Sequence, residues 1–153
     1  MTPARPAARG TAARPPAARD RARALAIGCA RAADEKIGEE TLVLDVRGRT
    51  SVCDFIVVTT ATSTPHLKAL ADAMQDAARA LGSGLHHREG DPGSPWVLLD
   101  FVDVIAHVFD SPSRRYYELE RLWADVPRLA WQAAPAAAKP RRPRKTGRAR
   151  ARS

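Results

Sequence analysis

The sequence predicts a small α/β domain: a five-stranded mixed sheet flanked by helices, with a basic arm at either end. Three observations predict it. DFIVVTTAT (54–62) is a β-branched, nearly all apolar run, as expected of a central strand covered on both faces. Between 64 and 82, Leu67, Leu70, Ala71, Met74, Ala77, Ala78 and Leu81 recur at helical spacing, and this helix is long enough for a crossover between parallel strands. After it, three short candidate strands follow one another, joined by short turns, which calls for antiparallel pairing.

The elements follow in order. Residues 1–18 hold four prolines and little beyond Ala and Arg, too little apolar surface to offset the entropy of ordering, and are expected to be disordered. The folded domain is placed at 19–131. Asp20 can cap a helix through RARALAIGCARAADEK, with Leu25, Cys29 and Ala32 or Ala33 on one face, Ile27 flanking it and Gly38 ending it. TLVLDV (41–46) reads as a buried strand that turns at Gly48. Thr64 and Pro65 are assigned as N-cap and first residue of the crossover helix, and Gly82 terminates it. LHHRE (85–89) is a short strand, and GDPGSP is a loop. WVLLDFVDVIAHVF (96–109) supplies two strands, and Ser111 and Pro112 open a last helix, SPSRRYYELERLW. Residues 132–153 form a basic, proline-studded tail.

Charge is unevenly divided. The chain carries a formal +8, but six arginines and one acid lie within 1–23, and eight Lys/Arg with no acid lie within 135–153. Of 25 basic residues, 25 − 14 = 11 remain for the middle, 24–134, against 17 − 1 = 16 acids, so this middle is near −5. An acidic domain between basic arms is a poor phosphate binder, and any attraction to nucleic acid belongs to the arms. Cys29 and Cys53 lack metal spacing and suit a reducing compartment. No apolar run is long enough to span a membrane, and the N-terminus lacks the apolar core of a secretory signal. Both a transit peptide and a disordered leader fit that N-terminus.

The chemical candidates are sparse. Asp100, Asp103 and His107 interrupt the apolar run 96–109. Alternation puts Trp96, Leu98 and Asp100 on one face of the first strand, and Ile105, His107 and Phe109 on one face of the second. Asp100 and Asp103 bracket a tight turn, where aspartate bonds backbone amides. The plain account is turn carboxylates beside a half-buried histidine; the alternative is a binding surface. Metal chemistry lacks a second carboxylate at strand spacing. Glu89 and Asp91 flank a glycine at a loop edge, poor scaffolding for metal ligands. Gly82-Ser83-Gly84 is followed by no helix and cannot cradle phosphate. His66, His86 and His87 lack zinc spacing. A metal-dependent nucleotidyltransferase using Glu89, Asp100 and Asp103 is the rival enzymatic reading. On the last helix, Tyr116, Leu119, Glu120 and Trp123 fall on one face, with Arg114, Tyr117 and Arg121 on another. Aromatic residues with arginine are the usual material of protein interfaces.

Five stretches in order, LVLDVRG (42–48), S-x-x-D-F-I-V-V-T-T-A-T-S (51–63), REG (88–90), WVLLDFVDVIAHVF and R-x-Y-Y-E-L-E-R-L-W (114–123), resemble the ribosomal silencing factor family, also called Iojap-like proteins. The resemblance covers about 25–123 and neither arm. It implies a nucleotidyltransferase-like fold without the catalytic acidic set, a cytoplasmic non-enzyme and no cofactor. It further implies binding to the large ribosomal subunit through ribosomal protein fourteen, which blocks joining of the small subunit and lowers translation when nutrients are scarce. Organellar relatives act in large-subunit assembly. The interface is then expected around Trp96, Asp100, Asp103, His107, Arg114, Tyr116, Tyr117, Glu120 and Trp123. The basic arms are expected to add salt-sensitive attraction to rRNA, and a homodimer through a sheet edge is compatible with the pattern. The chain departs from the family at Val102, where glycine is usual, and at Pro65, where arginine or another polar residue is usual. A β-branched residue at 102 demands either another turn type or local strain.

Overall fold

The computed structural model describes residues 16–91 and 93–132. Residues 1–15 and 133–153, on which most of the two expected arms falls, lie outside the described residues. The elements are α1 (Pro16–Glu35), β1 (Glu39–Asp45), β2 (Phe55–Ala61), α2 (Thr64–Ala80), β3 (His87–Glu89), β4 (Trp96–Asp100), β5 (Val104–Asp110), α3 (Ser111–Tyr117) and α4 (Leu119–Leu122). The first helix starts at Pro16, not Asp20, so the boundary expected after residue 18 falls inside it.

The sheet order is β1-β2-β5-β4-β3. Only β2 and β5 pair in parallel; the other three pairs are antiparallel. The sheet is mixed, as expected, and the last three strands form the antiparallel set. The crossover through α2 does not return beside β2. It carries the chain past β5 and β4 to the far edge, and β5 later fills the parallel position next to β2.

All seven residues of β2 are buried. Phe55, Val57 and Ala61 point to the layer of α1 and α2; Ile56 and Val58 point to the opposite face. On α1 the buried residues are Ala22, Leu25, Ala26, Cys29, Ala30 and Ala33, a mostly small-residue stripe that lets α1 lie close to its neighbours. On α2 they are Leu67, Leu70, Ala71, Met74 and Ala78. Leu81, expected in that stripe, is 51% exposed, because the helix has already ended.

Three helix ends differ from expectation, each for a local reason. Ile37, not Gly38, takes the left-handed conformation after α1 (φ 66°), while the Gly38 N–H donates to the Ala33 carbonyl at 2.8 Å. Gly38 is required for space: a Cβ there would lie 2.4 Å from Thr59 Oγ1. Ser63, not Thr64, caps α2, its Oγ accepting from His66 N–H at 3.1 Å, which puts Thr64 first and Pro65 second in the helix. The continuous helix expected over 111–123 is broken at Glu118, whose φ of 47° is left-handed. The shared faces expected along that helix therefore do not exist.

A segment unforeseen in the sequence closes the β1 edge. Pro127 O accepts from Asp45 N–H at 2.9 Å, and Leu129 N–H donates to Val43 O at 2.8 Å. Trp131 then buries its ring among the residues of the α1 side and donates from Nε1 to Thr41 O at 3.2 Å. Val126 packs on the opposite face, so residues 126–131 wrap around the edge from one core to the other. Among the described residues, no helix is long and apolar enough to cross a membrane.

Candidate functional site

The β4–β5 turn sets the site's register. Phe101 N–H donates to Val104 O at 2.9 Å, and Asp103 N–H donates to Phe101 O at 3.0 Å, closing a three-residue turn on Val102. Val102 has φ 78°, the sign of the rare, strained form of γ-turn. Asp100 Oδ1 holds it from inside, accepting from Val102 N–H at 2.7 Å. The carbonyl of Asp103 joins the turn to β2, accepting from Asp54 N–H at 2.7 Å. Both aspartates thus take part in the turn, and Asp100 is almost fully buried. Among the described residues, no group of three or more His, Cys, Asp or Glu is placed to hold a metal ion.

This register sets Trp96 opposite Phe109 and Leu98 opposite His107 on one face. The rings pack together. Trp96 stacks with His107 (5.8 Å between centroids) and with Phe109 (5.7 Å), and Tyr117 of α3 closes on Trp96 at 5.4 Å. Tyr116 meets Tyr117 edge-on at 5.0 Å. Phe109 is fully buried, whereas Tyr116 is 80% and Tyr117 48% exposed. The cluster thus runs from core to solvent across one sheet face.

His107 is the inner support of Trp96. The indole Nε1–H donates to His107 Nδ1 at 3.1 Å. An accepting Nδ1 requires neutral imidazole with its proton on Nε2. Burial favours that form and pushes the His107 pKa down from 6.5 to about 4. His107 therefore stands beneath the surface residue, in keeping with the plain account of a covered histidine and unlike the displayed residue of the interface account.

Arg114, also expected at the interface, is turned inward. It is buried: Nη1 donates to Thr60 Oγ1 at 2.7 Å, Nη2 to Glu40 O at 2.8 Å, and Nε to Glu120 Oε2 at 3.1 Å. Its guanidinium ties α3 to β2, to the irregular start of β1 and to α4, and engages Glu120 internally. Trp123 and Leu119 pack at the margin of the core on the sheet face opposite α1 and α2. Of the nine expected interface residues, Trp96, Tyr116 and Tyr117 come together with exposed surface. Asp100, His107 and Arg114 are buried supports, and Asp103, Glu120 and Trp123 are partly covered.

Other candidates resolve structurally. His66 accepts from Thr62 N–H at Nδ1 (2.9 Å) and lies 2.6 Å from Lys36 O at Nε2, linking the start of α2 to the end of α1. Cys29 is a core thiol that burial pushes up to about 12. Phe109 and Leu98 complete the aromatic face but were not singled out in the sequence; alternation placed them there, and only the cross-strand register joins the two strands into one patch.

The matching family model is described as "Ribosomal silencing factor during starvation" and covers residues 19–153. The ribosomal silencing factor of Bacillus subtilis is 38% identical over 98 residues, 64% of this chain and 83% of the relative. The chloroplast protein Iojap of Zea mays is 33% identical over 67% of this chain and 44% of its own length. A crystal structure of a protein from Chromobacterium violaceum matches with a TM-score of 0.62 at 30% identity, over 77% of this chain and 95% of that one. A family model that spans most of the chain, joined by relatives and a solved structure alike in fold, leaves one conclusion: the chain belongs to the ribosomal silencing factor family.

Proposed function

We propose that this protein silences ribosomes by docking on ribosomal protein fourteen of the large subunit and standing where the small subunit would join. The observation that carries the reading is the aromatic cluster of Trp96, Tyr117 and Tyr116, which surfaces on a domain of net negative charge. Rigid aromatic rings that are already packed lose little entropy on binding, and an acidic domain is attracted to a basic ribosomal protein. The action is steric: it makes and breaks no covalent bond, uses no cofactor and takes place in the cytoplasm. The basic arms supplement it with attraction to rRNA.

The test mixes isolated small and large subunits and resolves them on a sucrose gradient. Wild-type protein should hold the subunits apart, and Tyr117→Ala should restore much of the joining. Joining that proceeds unchanged in the presence of wild-type protein overturns the reading.

A further inference from the structure

A recess opens beside the aromatic cluster, between β3, the loop after it and β4, lined by Glu89, Asp91, Ser94, Trp96 and Leu98. We infer that this recess is an anchor point for one lysine or arginine side chain of the ribosomal partner, which stacks on Trp96 and pairs with Glu89 and Asp91. The inference rests on the docking reading above and names the chemistry of one contact within it.

Four observations carry it. The indole N–H of Trp96 is already given to His107, so the residue has no hydrogen-bond donor left for a partner and offers ring surface, which attracts cations. The ionisable residues lining the recess, Glu89 and Asp91, are both acidic and exposed. Glu89 also receives His87 Nε2 at 2.9 Å, a contact between two exposed side chains that a stronger cation can displace. Leu98 supplies an apolar wall for the aliphatic stem that lysine and arginine carry.

The recess is also pre-formed. Ser94 Oγ donates to the Trp96 carbonyl at 2.8 Å and accepts from the Trp96 N–H at 3.3 Å. Gly90 takes φ 115°, and a Cβ there would lie 2.6 Å from the Trp96 carbonyl oxygen. Gly90 at the start of the loop and Ser94 near its end thus both lie close against the Trp96 backbone, which reduces the ordering an incoming side chain must impose.

The experiment uses the full chain and has two arms. In the first, the Trp96 ring signals are followed by NMR as Nα-acetyl-arginine amide, Nα-acetyl-lysine amide or neutral Nα-acetyl-glutamine amide is added. Saturable shifts with the two cations, absent with glutamine and weakened at least about fivefold in E89Q/D91N, are expected. Equal responses to the neutral amide, or in the variant, overturn the proposal. In the second arm, affinity for purified large subunits should fall at least about fivefold in E89Q/D91N and much less in D34N/E35Q, which removes the same charge elsewhere. Equal losses in both variants assign the effect to bulk charge and overturn it. If the Trp96 signals shift on removal of residues 135–153 alone, the occupant is the chain's own tail, and the proposal also falls. Should wild-type protein not bind subunits at all, the docking reading fails, while the amide titration still decides the recess.

Discussion

Val102 occupies a backbone conformation that its side chain resists. A branched Cβ at φ 78° costs on the order of 1–2 kcal/mol, and the side chain is 47% exposed, so it recovers little by packing. Val102→Gly should therefore raise stability by about 1 kcal/mol, after allowance for glycine's greater freedom in the unfolded chain, as measured by urea denaturation. His107 yields a prediction with a definite pH window. Its pKa falls from 6.5 in the unfolded chain to about 4 in the folded one. Between those values the unfolded chain takes up a proton that the folded protein refuses. The contribution is intact above the upper value and is lost as pH falls towards the lower one, by about 3 kcal/mol in all. His107→Leu should flatten denaturation midpoints between pH 4.5 and 6.5, while at pH 7 it loses only the support of Trp96. At this scale the sequence was partly legible. Alternation put His107 and Phe109 on the correct face, and the anomaly at Val102 was visible as a β-branched residue at a turn. Half-burial of His107 was read from the sequence; its full extent was not, because the indole that covers it comes from the neighbouring strand.

Among the elements, the segment 126–131 does most to complete the sheet. It hydrogen-bonds to the free edge of β1 and fixes itself with Trp131. Trp131→Ala should cost about 3–5 kcal/mol, read from chemical denaturation. It should also loosen the cover on β1, so size-exclusion chromatography should show concentration-dependent self-association of the variant. The sequence did not announce this segment: the alternation of Leu129 and Trp131 is too short, and too close to Pro127, to stand out as a strand, and their partners lie some eighty residues earlier. The break at Glu118 was equally hidden, since no glycine or proline marks it. Arg114 explains why it forms. One buried guanidinium must reach Thr60, Glu40 and Glu120 together, and a straight helix would carry Glu120 away from it. The central strand and the helix after it were legible, because uniform apolarity and a 3.6-residue stripe are local signals.

For the whole molecule, the division of charge is the governing property. The folded residues 16–132 carry 14 basic and 17 acidic residues, near −3, while the segment 135–153 holds eight basic residues and no acid. Deleting 135–153 should weaken binding to large subunits and make the dependence of log affinity on log salt shallower by up to several units, in proportion to the number of phosphates the tail neutralises. Affinities measured across a potassium chloride series check this, and an unaltered slope would leave the tail a solubilising segment only.

Trp131 also decides where that tail leaves the domain. It is anchored beside β1, three strand spacings, or about 14 Å, from the β4 that bears Trp96. The twenty-one residues after Gln132 can span at most about 70 Å. On the docking reading, the tail would then meet the large subunit at a place separate from the aromatic face. Once either is attached, the other searches at a local concentration fixed by tether length and not by the amount of protein in the cell. If both contacts form, two weak holds become one longer-lived occupancy, and raising salt would loosen the tail's hold more than that of the aromatic face.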